Sequence, residues 1–131
     1  MADNESNTSA DRKPQTWIAK FACAGHGLAW AIRTQSSFWV HIPIGACVIA
    51  LAAWLQVESW KWCVLLTLIA MVLAAELVNT AIELIVKVVH PKRDERIGHA
   101  LDIAAAAVLV TAIVAAIVGL ITLGPELIAL L

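Results

Sequence analysis

From Trp62 to Ala75 the chain carries no charged side chain, and its apolar character then persists, interrupted by a few polar residues, as far as Val89. At 1.5 Å of rise per residue, a helix from Trp62 to Asn79 covers about 27 Å, close to the ~30 Å hydrocarbon core of a bilayer. The rest of the chain points the same way. Of 131 residues 61% are hydrophobic, and the mean hydropathy is +0.83. A chain of this length and composition is an integral membrane protein with one membrane domain, residues 16–131.

Taken in order, residues 1–15 are polar and lack the apolar core of a cleaved signal peptide, so a disordered tail is expected there. Between 16 and 36 the residues Trp17, Ile18, Phe21, Leu28 and Ile32 recur near the helical period, with Lys20, His26 and Arg33 off that stripe. This pattern predicts an amphipathic surface helix in the membrane interface. A first span is expected over about 38–57, with Trp39 as an interface anchor and His41, Pro43 and Gly45 near its start. Gln56, Glu58, Ser59 and Lys61 then form a short polar loop, with Trp54, Trp60 and Trp62 as an aromatic belt around it. So short a connection makes the flanking helices antiparallel.

The second span is expected over about 62–89, ended by Pro91 and followed by an inner loop, His90 to Gly98. A third, rich in alanine and so able to pack closely, is expected over about 102–123, with Gly124-Pro125 as its stop. The architecture is thus all-α: a surface helix and three transmembrane helices. Cations orient it. Arg12, Lys13, Lys20 and Arg33 precede the first span, and Lys87, Lys92, Arg93 and Arg96 border the second loop. Lys61 stands alone opposite them, so the N-terminus and second loop are expected on the cytoplasmic side and the C-terminus on the far side.

A net charge of −1 offers no basic surface to nucleic acid. Cys23, Cys47 and Cys63 are too far apart for paired-thiol chemistry and read as small buried hydrophobes. No His or Cys pair stands at zinc-ligand spacing, so no structural metal is expected.

Chemistry concentrates in Glu76-Leu-Val-Asn-Thr-Ala-Ile-Glu83. At 100° per residue Glu76, Asn79, Thr80, Glu83 and Lys87 stand at about 0°, 300°, 40°, 340° and 20°, which is one polar stripe on one helix face. A carboxylate at the edge of hydrocarbon costs on the order of 3 kcal/mol, so two on one face call for a partner, a metal or a reaction. The plainer alternative is that they hydrogen-bond across helices to lock an oligomer. An ion pathway is disfavoured, because the first and third spans carry no acidic residue at mid-depth. Asp102, at the expected start of the third span, also has a plain reading as a helix cap.

The motif E-x-x-N-[ST]-A-[IL]-E, read here as Glu76 to Glu83 and followed nineteen residues later by Asp102 in Ala100-Leu-Asp-Ile-Ala-Ala-Ala-Ala-Val, resembles the small prokaryotic diacylglycerol kinase family, which includes undecaprenol kinases. The likeness runs from about Phe21 to Leu120 and takes in Gly27-Leu28 and Phe38-Trp-Val-His41. It implies a homotrimer in the bacterial inner membrane with composite sites between subunits. It also implies transfer of the ATP γ-phosphoryl group to the hydroxyl of a membrane lipid, with Mg²⁺. By position Glu76 matches the general base, Asn79 a site-organising amide, Glu83 a metal and nucleotide ligand, and Asp102 the acid of the third span.

Three positions depart from the family pattern. Gln35 stands where a metal-sharing glutamate is usual, Leu101 where a lysine is usual, and Lys87 where an aspartate is usual. A neutral amide in place of the glutamate implies weaker or rearranged metal binding, and Lys87 is expected to supply the cation lost at position 101. The competing expectation is a trimeric membrane protein whose site has lost activity and whose polar stripe only locks subunits together.

Overall fold

The computed structural model describes residues 16–92 and 94–130. The expected disordered tail, Arg93 and Leu131 lie outside the described residues. Those described form four α-helices and no strand: α1 (Trp17–Thr34), α2 (Phe38–Trp54), α3 (Ser59–Val89) and α4 (Glu95–Ile128). The second of these follows the first after a corner of 102°. Two helices, α3 and α4, are long and apolar enough to cross a membrane unaided, whereas α2 meets that standard only together with α1. The 17 residues of α2 span about 25 Å, somewhat short of a full hydrocarbon core.

α3 is the central element, in contact with α4 along its length and with α2 and α1. Its buried residues are Lys61, Leu65, Val72, Glu76 and Thr80. At the helical period they fall within an arc of about 100°, so the seam that faces the other helices is continuous with the polar stripe. The seam is apolar in its middle and polar at both ends.

At the far end Ala52, Val57, Leu65 and Leu123 form a buried cluster, with Val48, Leu51, Leu55 and Trp62 packed on it. The turn from α2 into α3 makes this possible. Gln56 takes a left-handed φ of 49°, and the Val57 N–H then returns to the Ala52 carbonyl at 3.2 Å. A left-handed non-glycine residue costs on the order of 1 kcal/mol, offset here by the burial of Val57.

Several boundaries differ from those the sequence suggests. Because α3 begins at Ser59, Lys61 lies in its first turn and is buried, where a solvated loop residue was expected; its ammonium pairs with the Glu126 carboxylate of α4. Trp62 packs on the core cluster, which removes it from the expected aromatic belt, while Trp54 and Trp60 remain exposed. α4 starts seven residues earlier than expected. Asp94 caps it, its Oδ1 accepting from the N–H groups of Arg96 (2.9 Å) and Ile97 (3.4 Å). It also continues through Gly124-Pro125 to Ile128. Helices in apolar surroundings tolerate both residues, and so near the helix end Pro125 withholds a single backbone donor.

All three cysteines are exposed on the protomer, contrary to the expectation of burial. On a membrane helix outward does not mean wet, so a small apolar side chain can face lipid or another subunit at no cost.

Removing one member of the Lys61–Glu126 pair strands the other in a poorly hydrated place. Lys61→Met is therefore expected to lower the thermal midpoint in detergent, and Lys61→Met combined with Glu126→Leu to recover most of the loss. Additive losses in that double-mutant cycle would show that the pair does not couple α3 to α4.

Candidate active site

The motif Glu76–Glu83 lies on α3 without a break in the helix, which ends as expected at Val89, where the His90 N–H bonds the Val86 carbonyl at 2.9 Å ahead of Pro91. Glu76 is the deepest member of the stripe and is 4% exposed. Its Oε1 lies 3.5 Å from Nδ1 of His41, a residue of α2. That same Nδ1 is 2.9 Å from the backbone carbonyl of Ser37, at the corner between α1 and α2.

One turn further on, Asn79 donates from Nδ2 to Glu83 Oε1 at 3.0 Å. Its other amide atom, Oδ1, is buried with no hydrogen-bond partner. Lys87 Nζ stands 3.8 Å from Glu83 Oε2, with 69% of the side chain exposed. The stripe thus divides into a buried carboxylate paired with an imidazole and, about 10 Å along the helix axis from it, an amide–carboxylate–ammonium group nearer water.

Asp102 is exposed on α4, two turns inside the helix, so it is not the cap that the plain reading makes it. Gln35 is half-buried at the end of α1, where its backbone N–H bonds the Ala31 carbonyl at 2.9 Å. Among the described residues neither side chain forms a hydrogen bond or ion pair with the Glu76, Asn79 and Glu83 group. One protomer therefore assembles Glu76 with His41 and Asn79 with Glu83 and Lys87, and leaves Gln35 and Asp102 apart from them.

The partner of Glu76 was not legible in the sequence, where His41 reads as a candidate nucleotide contact or an ordinary interface residue and nothing pairs it with Glu76. A usable signal existed: His41 is the one basic side chain inside the first expected span.

Beside this pair an apolar cavity of about 220 Å³ lies between α2, α3 and α4. Gly45, Leu68, Ile69, Val72 and Ala115 are among its walls, and His41 is the one polar side chain lining it. Gly45 keeps the crossing of α2 and α3 close, since a Cβ there would stand 3.4 Å from Ile69 Cγ2. The imidazole that faces the buried carboxylate therefore also lines a space suited to hydrocarbon.

Fold and site together define an all-helical integral membrane protein with a buried carboxylate inside its helix seam. Residues 22–123 match the family model described as prokaryotic diacylglycerol kinase. The chain is 37% identical over 115 residues to a diacylglycerol kinase of Synechocystis sp., a stretch covering 87% of this chain and 66% of that protein. It is 32% identical over 111 residues to an undecaprenol kinase of Bacillus subtilis, covering 85% of this chain and 90% of that one. The chain belongs to the prokaryotic diacylglycerol kinase family. These are lipid kinases, phosphotransferases to an alcohol, and neither comparison favours the non-enzymatic alternative.

Proposed function

We propose that this chain transfers the γ-phosphoryl group of ATP to the hydroxyl of a membrane lipid, diacylglycerol or undecaprenol, at the cytoplasmic edge of the bacterial inner membrane. The observation that carries this reading is Glu76. It is a carboxylate 4% exposed on a helix long enough to span, and the imidazole beside it lines an apolar cavity. An alcohol must lose its proton as it attacks phosphorus, and a carboxylate within reach is a suitable acceptor. Because the imidazole beside the acceptor lines a space for hydrocarbon, the alcohol that the acceptor suits is one attached to a lipid.

Glu83 and its neighbours suit the phosphate end. The orphaned Asn79 Oδ1 beside a carboxylate is a pair of hard oxygen donors, the kind Mg²⁺ takes. Among the described residues no three acidic, His or Cys side chains converge. That agrees with an ion held by one or two carboxylates, with waters and substrate phosphates completing its shell. Glu83, Asn79 and Gln35 would hold it, and Mg²⁺ when bound neutralises charge on the transferring phosphoryl oxygens.

The homotrimer belongs to the same proposal. Gln35 and Asp102 make no contact with the site inside one protomer, and 72–75% exposure of Phe21, Trp17 and Ile103 leaves apolar surface for lipid and for neighbouring subunits. Composite sites, completed by α1 or α4 of a second copy, would bring the missing side chains in. In that arrangement α1 lies along the interface and the cations of α1 and of the α3–α4 loop face the cytoplasm.

Lys87, at the exposed rim of Glu83, is assigned to the nucleotide phosphates. Lys87→Ala is expected to raise the KM for ATP several-fold and to change kcat little, measured at saturating lipid; an unchanged KM and turnover would sink that assignment. The whole reading is tested by phosphate transfer from γ-labelled ATP in mixed micelles, with diacylglycerol and undecaprenol assayed side by side. Incorporation into one lipid identifies the acceptor. A folded oligomer that binds no ATP and labels neither lipid overturns the reading.

A further inference from the structure

His41 is reached by no motif of the phosphoryl-transfer stripe, yet it is the one ion-pair partner of Glu76 among the described residues. Its geometry fixes more than proximity. The Ser37 carbonyl, 2.9 Å from Nδ1, can only accept, so Nδ1 carries the ring hydrogen and a neutral ring keeps its lone pair on Nε2. The carbonyl also receives the backbone N–H groups of Val40 and His41, each at 3.1 Å, which ties it to the first turn of α2. The imidazole is thus held at the α1–α2 corner by that carbonyl, with Nδ1 at ion-pair distance, 3.5 Å, from Glu76 Oε1.

We infer that His41 is the positioning residue for Glu76, an inference that rests on Glu76 being the proton acceptor proposed above. A carboxylate on a helix in apolar surroundings is free to rotate unless something holds one oxygen. An Nδ1–H 3.5 Å from Oε1 attracts that oxygen electrostatically and leaves Oε2 free to receive the proton of the lipid alcohol. The His41 ring also lines the apolar cavity, so the group that aims the carboxylate stands where the acceptor lipid would lie. As a consequence, the orientation of α2 at its corner with α1 sets the aim of a carboxylate on α3.

Two substitutions and one spectrum test this. Asparagine places an amide nitrogen near the position of Nδ1 and has two hydrogens, one for Ser37 and one for Glu76, whereas leucine fills the space with no donor. His41→Leu is expected to lower kcat about 10- to 100-fold, the range for losing a hydrogen bond to a charged group, with the KM for ATP unchanged. His41→Asn should recover most of that loss. A parental kcat in the leucine variant, or an asparagine variant no better than leucine in an intact oligomer, overturns the inference.

The ¹⁵N spectrum of the labelled full chain in nanodiscs reads the same point without turnover. The expected His41 signal is the Nδ1-protonated tautomer, shifted by Glu76→Gln; an Nε2-protonated ring overturns the inference even if no acceptor lipid is found. Loss of activity in Glu76→Gln with a fully active His41→Leu would remove the positioning role and leave the kinase reading intact. Full activity in Glu76→Gln would instead remove the proton acceptor itself.

Discussion

Glu76→Gln is expected to lower phosphoryl transfer to lipid by about 10²- to 10⁴-fold, the range over which a positioned general base contributes. The substitution is nearly isosteric, and a glutamine oxygen can still accept from Nδ1 of His41, 3.5 Å away in the parent. Packing in the seam is retained and the charge buried there is removed, so the oligomer should be at least as stable as the parent. ATP binding should survive too, because Asn79, Glu83 and Lys87 form a separate group further along the helix. The combination to look for is a folded oligomer with normal nucleotide affinity and almost no product. A rate within about tenfold of the parent would mean that the proton leaves by another route.

The second large effect belongs to Glu83→Gln. Substitution of a residue that only supports a metal ligand commonly costs about 10- to 100-fold in metal affinity or activity, so loss of a direct carboxylate ligand should cost at least about 100-fold in kcat/KM. Two changes coincide at this position. The glutamine can still pair with Asn79, but it brings no charge to a cation and frees Lys87 from its ion pair. The loss should therefore appear mainly in the Mg²⁺ dependence, and raising Mg²⁺ should recover part of it. An Mg²⁺ titration superimposable on that of the parent would assign the metal to other residues.

How far the chain could be read before its structure depended on whether the deciding interaction was local. The polar stripe follows from the helical period alone, and the end of α3 follows from Pro91, so both are recovered with their boundaries. The start of α4 depends on competition between two acidic residues for the same task. Asp102 has the composition of a cap, but Asp94 is first in line to bond free N–H groups, and the helix grows from there. Gly124-Pro125 reads as a stop by rules learned in water, where a broken backbone bond is replaced by solvent; in apolar surroundings continuing the helix is the cheaper course.

The contacts of largest sequence separation were out of reach. Lys61 and Glu126 are 65 residues apart, and each alone looks like an ordinary charge at the end of a span. His41 and Glu76 meet only because α2 turns from α1 through 102° and then lies against α3. Fold class and family motif were legible because each is carried by one segment, whereas the aim of the carboxylate is set by two.

On the topology proposed above, the Lys61–Glu126 pair, beside Trp54 and Trp60, stands at the far membrane surface, fifteen residues along unbroken α3 from Glu76. A helix fixes that separation at about 22 Å, while a typical hydrocarbon core is ~30 Å deep. With its far end moored there, α3 would act as a ruler, and the thickness of the surrounding bilayer would decide how far below the cytoplasmic surface the carboxylate lies. Short-chain lipids would lift it toward water and long-chain lipids would sink it out of reach of ATP, so the acyl-chain length of the host membrane would set the working depth of the site.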